Sequence, residues 1–431
     1  MPRYKKKFGR WVASNSHAMT SRERVLTSLG HRAPDFVPID FGATSVTGMH
    51  ASCVAALRDF HGLERRPVKI WEPTQMLGWM EEDLKQVLGI DTEAVFPRKA
   101  NFGLVLDKWK SWRMPDGLEV LVPGNFEVTV DGNGDTLIHP HGDRDAPPSG
   151  RMPAGGYFFD AIIRQPPIDE DTLNPEDNVE EFTLLSDADL DYLAQAASAA
   201  RATGRAVAGK FGSGFGDIAV VPGTGLKHPK GIRDVAEWYM SIRSRPQYIH
   251  AVFERQCEIL LANLRRAHER LGDSIDVLYL CGTDFGTQTS TFCSANTFRE
   301  LWLPYYKRIN EWVHANTAWK TFKHSCGSVI KFLPLFIEAG FDILNPVQIS
   351  ATGMEPEHLK STYGEQLTFW GGGVDTQKTL SFGSAEEVFE QVRRHCAIFS
   401  QGGGYVFNAV HNVQARTPVR NIDAMFRAAR P

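Results

Sequence analysis

The sequence predicts an α/β protein built as a (β/α)8 barrel. Short apolar segments of strand type alternate with segments of helical spacing along most of the 431 residues. The clearest units follow one another at about the length of one helical crossover, as in parallel sheets. No glycine-rich dinucleotide fingerprint follows a strand, which favours a closed barrel over an open nucleotide-binding sheet. We therefore expect one barrel domain over residues 20–431.

The N-terminal segment starts the βα alternation after a short leader. Residues 1–19 are basic and lack the apolar centre of a secretory signal, so we expect a disordered leader, with Met19 as an alternative start to Met1. The stretch TSRERVLTSLGH has the spacing of a capped helix. APDFVPIDFG then predicts a short buried strand, and HASCVAALRDFHGL predicts a helix that ends at a glycine.

A change in the sequence pattern over residues 108–167, from βα alternation to short strands and turns, predicts an antiparallel β insertion in the N-terminal half. The segments MPDGLEVLVPG and FEVTVDGNGDTLIHP combine short alternating strands with turn residues. The βα alternation then resumes with a helix in DADLDYLAQAASAARATG and strands in AVAGKF and SIDVLYLCGTD. Four further strands are predicted in WKTFKH, DILNPV, LTFWGG and YVFNAV, with helices between them.

Composition excludes several classes of protein. The net charge of −4 and the lack of a basic stripe argue against nucleic-acid binding. No apolar run approaches the roughly 18 to 20 residues that span a bilayer, so we expect no membrane segment. Six cysteines spread over a long chain do not form a disulfide framework and fit a reducing cytoplasm. Base rates make a homodimer the assembly to test.

The strongest chemical signal is the segment HSCG at the end of the WKTFKH strand. His324 and Cys326 flank one residue there, and imidazole nitrogen and thiolate sulfur are ligands that zinc prefers. Two ligands are too few to hold a metal, and a buried cysteine beside a hydrogen-bonded histidine is the simpler interpretation of the motif alone. His411, after the last apolar strand, can supply a third ligand across the barrel mouth, or act as a loop-holding histidine or a proton donor.

Other polar residues follow predicted strands and should face the same mouth. Asp284, in CGTDFGTQTS, is a candidate acid or base, or a residue that orients a metal ligand. The candidate substrate-binding residues are Asp40, at the end of the predicted FVPID strand, Glu72 and Gln75, after the predicted VKIW strand, and Gln288, Gln348 and Asp375. Helix capping and turn formation are the alternative roles for most of them. Cys281 and Cys293 are lower-ranked substitutes as metal ligands.

Five stretches carry a resemblance to a known family. They are RERVLTSLGHRAPDFVPID, FRELWLPYYKRI, FKHSCGSVIKFLPLFIEAGFDILNPVQ, LTFWGGGVDTQ and YVFNAVHNVQARTPVRNIDAM. From about Thr20 onwards the chain resembles the uroporphyrinogen decarboxylase superfamily, especially its branch of corrinoid-dependent methyltransferases. The resemblance implies a distorted (β/α)8 barrel and a zinc ion bound by His324 and Cys326. His411 stands where that branch has its third ligand, a cysteine.

The resemblance implies methyl transfer between a small methylated substrate or acceptor and a corrinoid. Methoxy, methylamine and methylthio compounds are the candidate substrates, and the corrinoid would be carried by a separate protein because the chain has no DxHxxG-type segment. True decarboxylases have a histidine at the place of His411. They also grip acidic tetrapyrroles with an arginine-rich RQAGR segment, whereas the equivalent DFGATSVTGMH has no arginine.

Two alternatives to methyl transfer follow from the same residues. One is decarboxylation of a different substrate, with His411 or Asp284 as the proton donor and no metal. The other is a non-catalytic carrier of a tetrapyrrole or corrinoid that has kept only the barrel. Analysis of bound metal distinguishes the first alternative from a zinc-dependent methyltransferase. Methyl transfer that survives substitution of Cys326 would favour the second alternative or a metal-free mechanism.

Overall fold

The computed structural model describes residues 18–212 and 214–430, so the predicted leader lies almost wholly outside the described residues. Fifteen strands are found in this part of the chain. In chain order they are β1 (Val68–Glu72), β2 (Leu77–Gly78), β3 (Thr92–Val95), β4 (Lys110–Arg113), β5 (Glu119–Val122), β6 (Val128–Val130), β7 (Thr136–Ile138), β8 (Gly150–Met152), β9 (Asp160–Ala161), β10 (Ala206–Gly209), β11 (Val277–Cys281), β12 (Lys320–His324), β13 (Ile343–Asn345), β14 (Thr368–Trp370) and β15 (Tyr405–Val406).

The helices of the described residues fall mainly between the later strands. They are α1 (Ser21–Leu29), α2 (Ala51–Phe60), α3 (Glu82–Leu88), α4 (Asp187–Ala202), α5 (Val235–Ser244), α6 (Pro246–Leu271), α7 (Ala295–Leu301), α8 (Leu303–Asn316), α9 (Leu333–Glu338), α10 (Pro356–Tyr363), α11 (Thr379–Phe382), α12 (Ala385–Phe399) and α13 (Val419–Ala429). None of them is long and apolar enough to cross a membrane. Reciprocal capping boxes begin α1, α4 and α12.

Seven parallel strands form the barrel wall in the order β15-β14-β13-β12-β11-β10-β3. The segment 38–40 completes the wall between its two outer strands. Ile39 forms a parallel bridge with Phe407, and the Asp91 N–H donates to the Ile39 carbonyl at 2.8 Å. The predicted (β/α)8 barrel is thus confirmed, in a distorted form whose first strand is reduced to a single bridge.

The barrel interior is filled by apolar side chains from alternate strand positions, as expected for a small closed barrel. They include Ala208, Val277, Phe322 and Trp370, which form one buried cluster with residues of α1. Helix α1 covers the end of the barrel at which the strands begin, because the Ser28 hydroxyl donates to the carbonyl oxygen of Tyr405, the first residue of β15, at 2.6 Å. The opposite end is left open for a functional site.

An antiparallel insertion precedes the main run of βα units. Strands β6 to β9 form an antiparallel meander, and β4 and β5 form a hairpin. Strand β1, the VKIW segment, pairs in parallel with β5 and antiparallel with β2. The VKIW strand, expected to belong to the barrel, thus lies outside the barrel wall, whereas Trp71 and Glu72 at its end still line a cavity at the mouth. Strand β3 takes the second place in the barrel.

Candidate metal centre

The end of β12 presents His324 and Cys326 to one side of the barrel mouth. In the parallel register His324 lies opposite Asn345 of β13, and the Ser325 N–H donates to the Asn345 carbonyl at 2.8 Å. The chain then turns at Gly327, whose φ is 85°. A side chain at Gly327 would overlap the carbonyl group of Gly286, so only glycine allows this close approach. The turn brings the Cys326 side chain back beside His324.

His324, Cys326 and His411 form a cluster with metal-binding spacing. One ligand atom of each residue lies within 4.8 Å of the other two. The distance from His324 Nε2 to Cys326 Sγ is 3.4 Å. Tetrahedral zinc with ordinary bond lengths places a nitrogen and a sulfur about 3.6 Å apart, so this pair already fits the ion. His324 is buried, whereas Cys326 and His411 are partly exposed and can be reached from the mouth.

Asn345 fixes the tautomer of His324. The Asn345 amide nitrogen donates to the Trp370 carbonyl at 2.7 Å, which leaves its oxygen to accept from His324 Nδ1 at 2.5 Å. The neutral ring therefore carries its proton on Nδ1 and directs the lone pair of Nε2 toward Cys326. A partner on the far nitrogen is the usual way in which proteins orient a metal-binding histidine.

His411 is held in the opposite tautomer. Its Nδ1 accepts the Asn412 N–H at 2.8 Å, so the proton of the neutral ring lies on Nε2. Asn412 is itself fixed, because its side chain accepts from the Gly48 N–H at 2.6 Å and donates to Gln75 Oε1 at 3.1 Å. As placed, His411 offers a hydrogen-bond donor, and it becomes a metal ligand only if the Asn412 bond is given up.

Burial determines the protonation of the cluster. It lowers the pKa of His324 to about 4 and that of His411 to about 3. The charge of Lys323 lowers the pKa of His324 further, and His324, whose ring centroid is 5.1 Å from that of His411, lowers the pKa of His411. Both imidazoles are therefore neutral at pH 7, the state in which histidine binds metals. Burial and the neighbouring Asp284 carboxyl raise the pKa of the Cys326 thiol well above its usual range, so without a metal the thiol keeps its proton.

Asp284 and Lys323 hold the cluster in place. Asp284 Oδ1 accepts the Cys326 N–H at 2.7 Å and lies 3.8 Å from His324 Nε2. Burial raises the pKa of the Asp284 carboxyl. Lys323 is buried behind the site, where its ammonium donates to the carbonyls of Thr283 and His324 at 2.8 and 2.7 Å. It thereby joins the ends of β11 and β12.

The six predicted substrate-binding residues lie at different distances from the cluster. Gln348 and Gln75 lie beside the cluster, because Gln348 Oε1 accepts the Gly327 N–H at 2.7 Å and Gln75 contacts Asn412. Gln288 is farther out, on the exposed rim, where its amide donates to Gln377 at 3.2 Å.

Asp40, Glu72 and Asp375 are not brought to the cluster. Asp40 is fully buried and accepts from Thr92 and from the Trp370 indole at 2.6 and 2.8 Å. Glu72 accepts the Gln75 N–H at 2.8 Å and stabilises its own turn. Asp375 accepts the Gln377 N–H at 2.8 Å. Among the described residues, the cluster with metal-binding spacing includes neither Cys281 nor Cys293.

Sequence reasoning missed three residues that shape the site, namely Asn345, Asn412 and Lys323. Asn345 carried a usable signal, because it ends the strand next to β12 at the level of His324. Asn412 follows His411 directly, but its bonds to Gly48 and Gln75 depend on the tertiary fold. No feature of the sequence indicates that Lys323 is buried at the site, because a lysine within an apolar strand is equally typical of an exposed edge.

Comparisons with known proteins agree with this architecture. Residues 161–431 match the family described as uroporphyrinogen decarboxylase (URO-D). A solved structure, a methyltransferase from Methanosarcina mazei, superposes with a TM-score of 0.50 over 95% of this chain and 98% of its own, at 14% sequence identity. That identity supports a shared fold alone. No curated protein matches the chain. Because the family match covers more than half of the sequence, the chain belongs to the uroporphyrinogen decarboxylase family.

Proposed function

We propose that this protein is a zinc-dependent methyltransferase that moves a methyl group between a small methylated compound or acceptor and a corrinoid. The observation that carries the proposal is the pairing of His324 Nε2 with Cys326 Sγ at 3.4 Å, with the histidine tautomer set by Asn345. This is a zinc-type donor pair held at nearly the required separation. The structural similarity to a methyltransferase is consistent with the proposal.

Each residue of the cluster has a part in the proposed reaction. His324 and Cys326 would hold the ion, which when bound supplies a Lewis acid or lowers the pKa of a coordinated thiol. Asp284 keeps the Cys326 backbone in position through its 2.7 Å hydrogen bond. His411 would complete the ligand set after leaving Asn412, or donate its Nε2 proton to the substrate. The corrinoid would come on a partner protein that approaches the partly exposed side of the cluster.

A second candidate function is decarboxylation with His411 as the proton donor. It is favoured by the hydrogen bond from Asn412, which leaves the proton of His411 on Nε2. In this function Asp284, whose pKa is raised by burial, would share the proton with His411. The arginine-free segment 40–50 argues against an acidic tetrapyrrole as the substrate.

Metal analysis of the gently purified protein separates the two functions. We expect about one zinc ion per chain and loss of methyl transfer to free Co(I) cobalamin after chelation. Cobalt(II) replacement should give a thiolate-to-cobalt absorption band that the Cys326→Ser variant lacks. A protein with no bound metal and with chelator-insensitive activity would overturn the zinc-dependent function and support decarboxylation.

A further inference from the structure

A cavity of about 460 Å³ lies beside the metal centre, on the side of the mouth formed by the N-terminal half of the chain. Its lining includes Ser45, Trp71, Phe96, Lys210 and Tyr279. Ser45 connects the two sites, because its carbonyl accepts from the side chain of Asn412, the residue that holds His411. The volume falls within the range of about 300–1,000 Å³ that is typical of pockets for organic ligands. Methanol or methylamine would leave most of it empty.

The carboxylates that line the cavity are already used by the protein itself. Glu72 accepts backbone N–H groups of its own turn, and Asp189 belongs to the capping box of α4. Glu180 and Glu181 both pair with the buried guanidinium of Arg233, at 2.9 and 2.6 Å. Each of these four acidic groups therefore has a partner within the protein, and burial raises the pKa of two of them, Glu72 and Glu181, which favours their neutral form.

The cations of the cavity lack comparable partners. Lys210 and Lys99 have no carboxylate within 4 Å among the described residues, and Arg98 reaches Asp107 only at 3.8 Å. Lys210 is partly buried, and its ammonium lies 5.3 Å from the ring centroid of Tyr279. An ammonium held in a cleft without a counter-ion attracts an anionic group of a ligand.

The apolar wall of the cavity favours a flat ligand. Trp71 and Phe96 stack at a centroid distance of 3.8 Å and an interplanar angle of 13°, and both line the cavity. A planar aromatic ligand can pack against the exposed part of this pair. Ligand pockets are commonly apolar and aromatic with a few placed charges, and here the aromatic wall and the cation together suit a ligand that joins an aromatic ring to an anionic group.

We propose that this cavity binds an aromatic carboxylate, with the carboxylate paired to Lys210 and the ring packed on the apolar wall. The inference rests on the proposed function, because it makes this compound the methylated substrate of the neighbouring metal centre. It narrows the substrate class from small methylated compounds in general to anionic aromatic ones, such as carboxylated aryl methyl ethers.

The test is calorimetric binding of 4-methoxybenzoate and of its uncharged analogue 4-methoxybenzamide to the full chain. We expect the acid to bind about tenfold or more tightly than the amide, because a charge-assisted hydrogen bond is worth that much. Lys210→Met should remove this preference, and Lys210→Arg should keep most of it. Lys331→Met, at an exposed lysine outside the cavity, is the matched control and should bind like the native protein.

Equal binding of acid and amide, or an unchanged preference in Lys210→Met with its native circular dichroism, would overturn the inference. Measuring with both metal-loaded and chelated protein separates it from the proposed function. If the native protein binds no zinc and still prefers the acid, the cavity is supported and the zinc-dependent function is contradicted. Zinc binding without any preference for the acid supports the metal centre alone.

Discussion

The two sides of the barrel mouth differ in what they hold. One side carries the candidate metal ligands, and the other contains a cavity large enough for an organic ligand. On one side, the end of β12 and the loop after β15 bring three candidate ligand atoms within 4.8 Å of one another. On the other side, the cavity of about 460 Å³ is lined by the segments 43–45 and 96–103, by Trp71 and by later residues such as Lys210. The family match over residues 161–431 includes the whole cluster and Lys210, but leaves out the part of the cavity wall formed by residues 43–141. The candidate metal ligands thus come from the matched part of the chain alone, whereas the cavity is built from both parts.

The sharpest test of this division is removal of the metal-binding thiol. We expect Cys326→Ala to weaken zinc binding by more than about 100-fold, because changes at residues behind the ligands alone cost 10- to 100-fold. Methyl transfer should be lost with the metal, whereas calorimetric binding of 4-methoxybenzoate should be unchanged. Cys293→Ala, at a partly buried cysteine outside the cluster, is the control. Loss of 4-methoxybenzoate binding in Cys326→Ala would show that the two sides are a single site.

The pH dependence of zinc affinity tests the protonation of the cluster. Between pH 6 and pH 8 both imidazoles, with pKa values of about 4 and about 3, have already lost their protons, while the Cys326 thiol keeps its own. Zinc binding should release this one proton, so affinity should rise about tenfold per pH unit, or about 100-fold over the range. Competition titrations with a chromogenic chelator measure the zinc affinity at each pH.

The Cys326→Ala variant is the control for the pH dependence of zinc affinity. Cys326→Ala should bind zinc weakly and with almost no dependence on pH over the same range, since no proton remains to be displaced. A native slope that steepens below pH 6.5 would contradict the prediction, because it would mean that the imidazoles titrate near their ordinary pKa and are not held neutral by burial.

Removal of the residue behind His324 should have the smaller effect. Asn345→Leu deletes the acceptor that holds His324 Nδ1, and we expect zinc affinity to fall about 10- to 100-fold. Asn345→Asp keeps an acceptor and should recover most of this loss. Asn310→Leu is the matched control, because Asn310 is also buried and donates to a backbone carbonyl, but lies on α8. An effect of equal size in Asn310→Leu would indicate general destabilisation.

The sequence predicted the metal side of the mouth better than the cavity side. His324 and Cys326 are two residues apart on one regular strand, and β11 to β15 each follow an amphipathic helix, so alternation places their ends correctly. The VKIW segment has the same local pattern as a barrel strand, but its partner β5 lies about fifty residues later in the insertion. Strand β3 has only four residues, including Glu93, and gave no clear apolar run.

The cavity could not be predicted because its walls come from distant segments. Lys210 opens the glycine-rich stretch KFGSGFG, which matches no known phosphate-binding motif. Its lack of a carboxylate partner is visible only once Glu180 and Glu181 are seen to pair with Arg233. Asp40 follows a predicted strand just as Asp284 does, yet one is fully buried and the other is partly exposed at the mouth. Local sequence does not distinguish these two depths.

Closure of the barrel by the segment 38–40 has a consequence for synthesis of the protein. The Asp40 carboxylate meets the Trp370 indole across 330 positions of the chain, and Ile39 bridges Phe407. A nascent chain on the ribosome must therefore hold Asp40 without its indole partner, with the edge of the segment 38–40 that later meets β15 unpaired, until nearly all of the protein has been made. Until then this open strand edge can pair with other chains, which makes the unfinished barrel a natural client for chaperones.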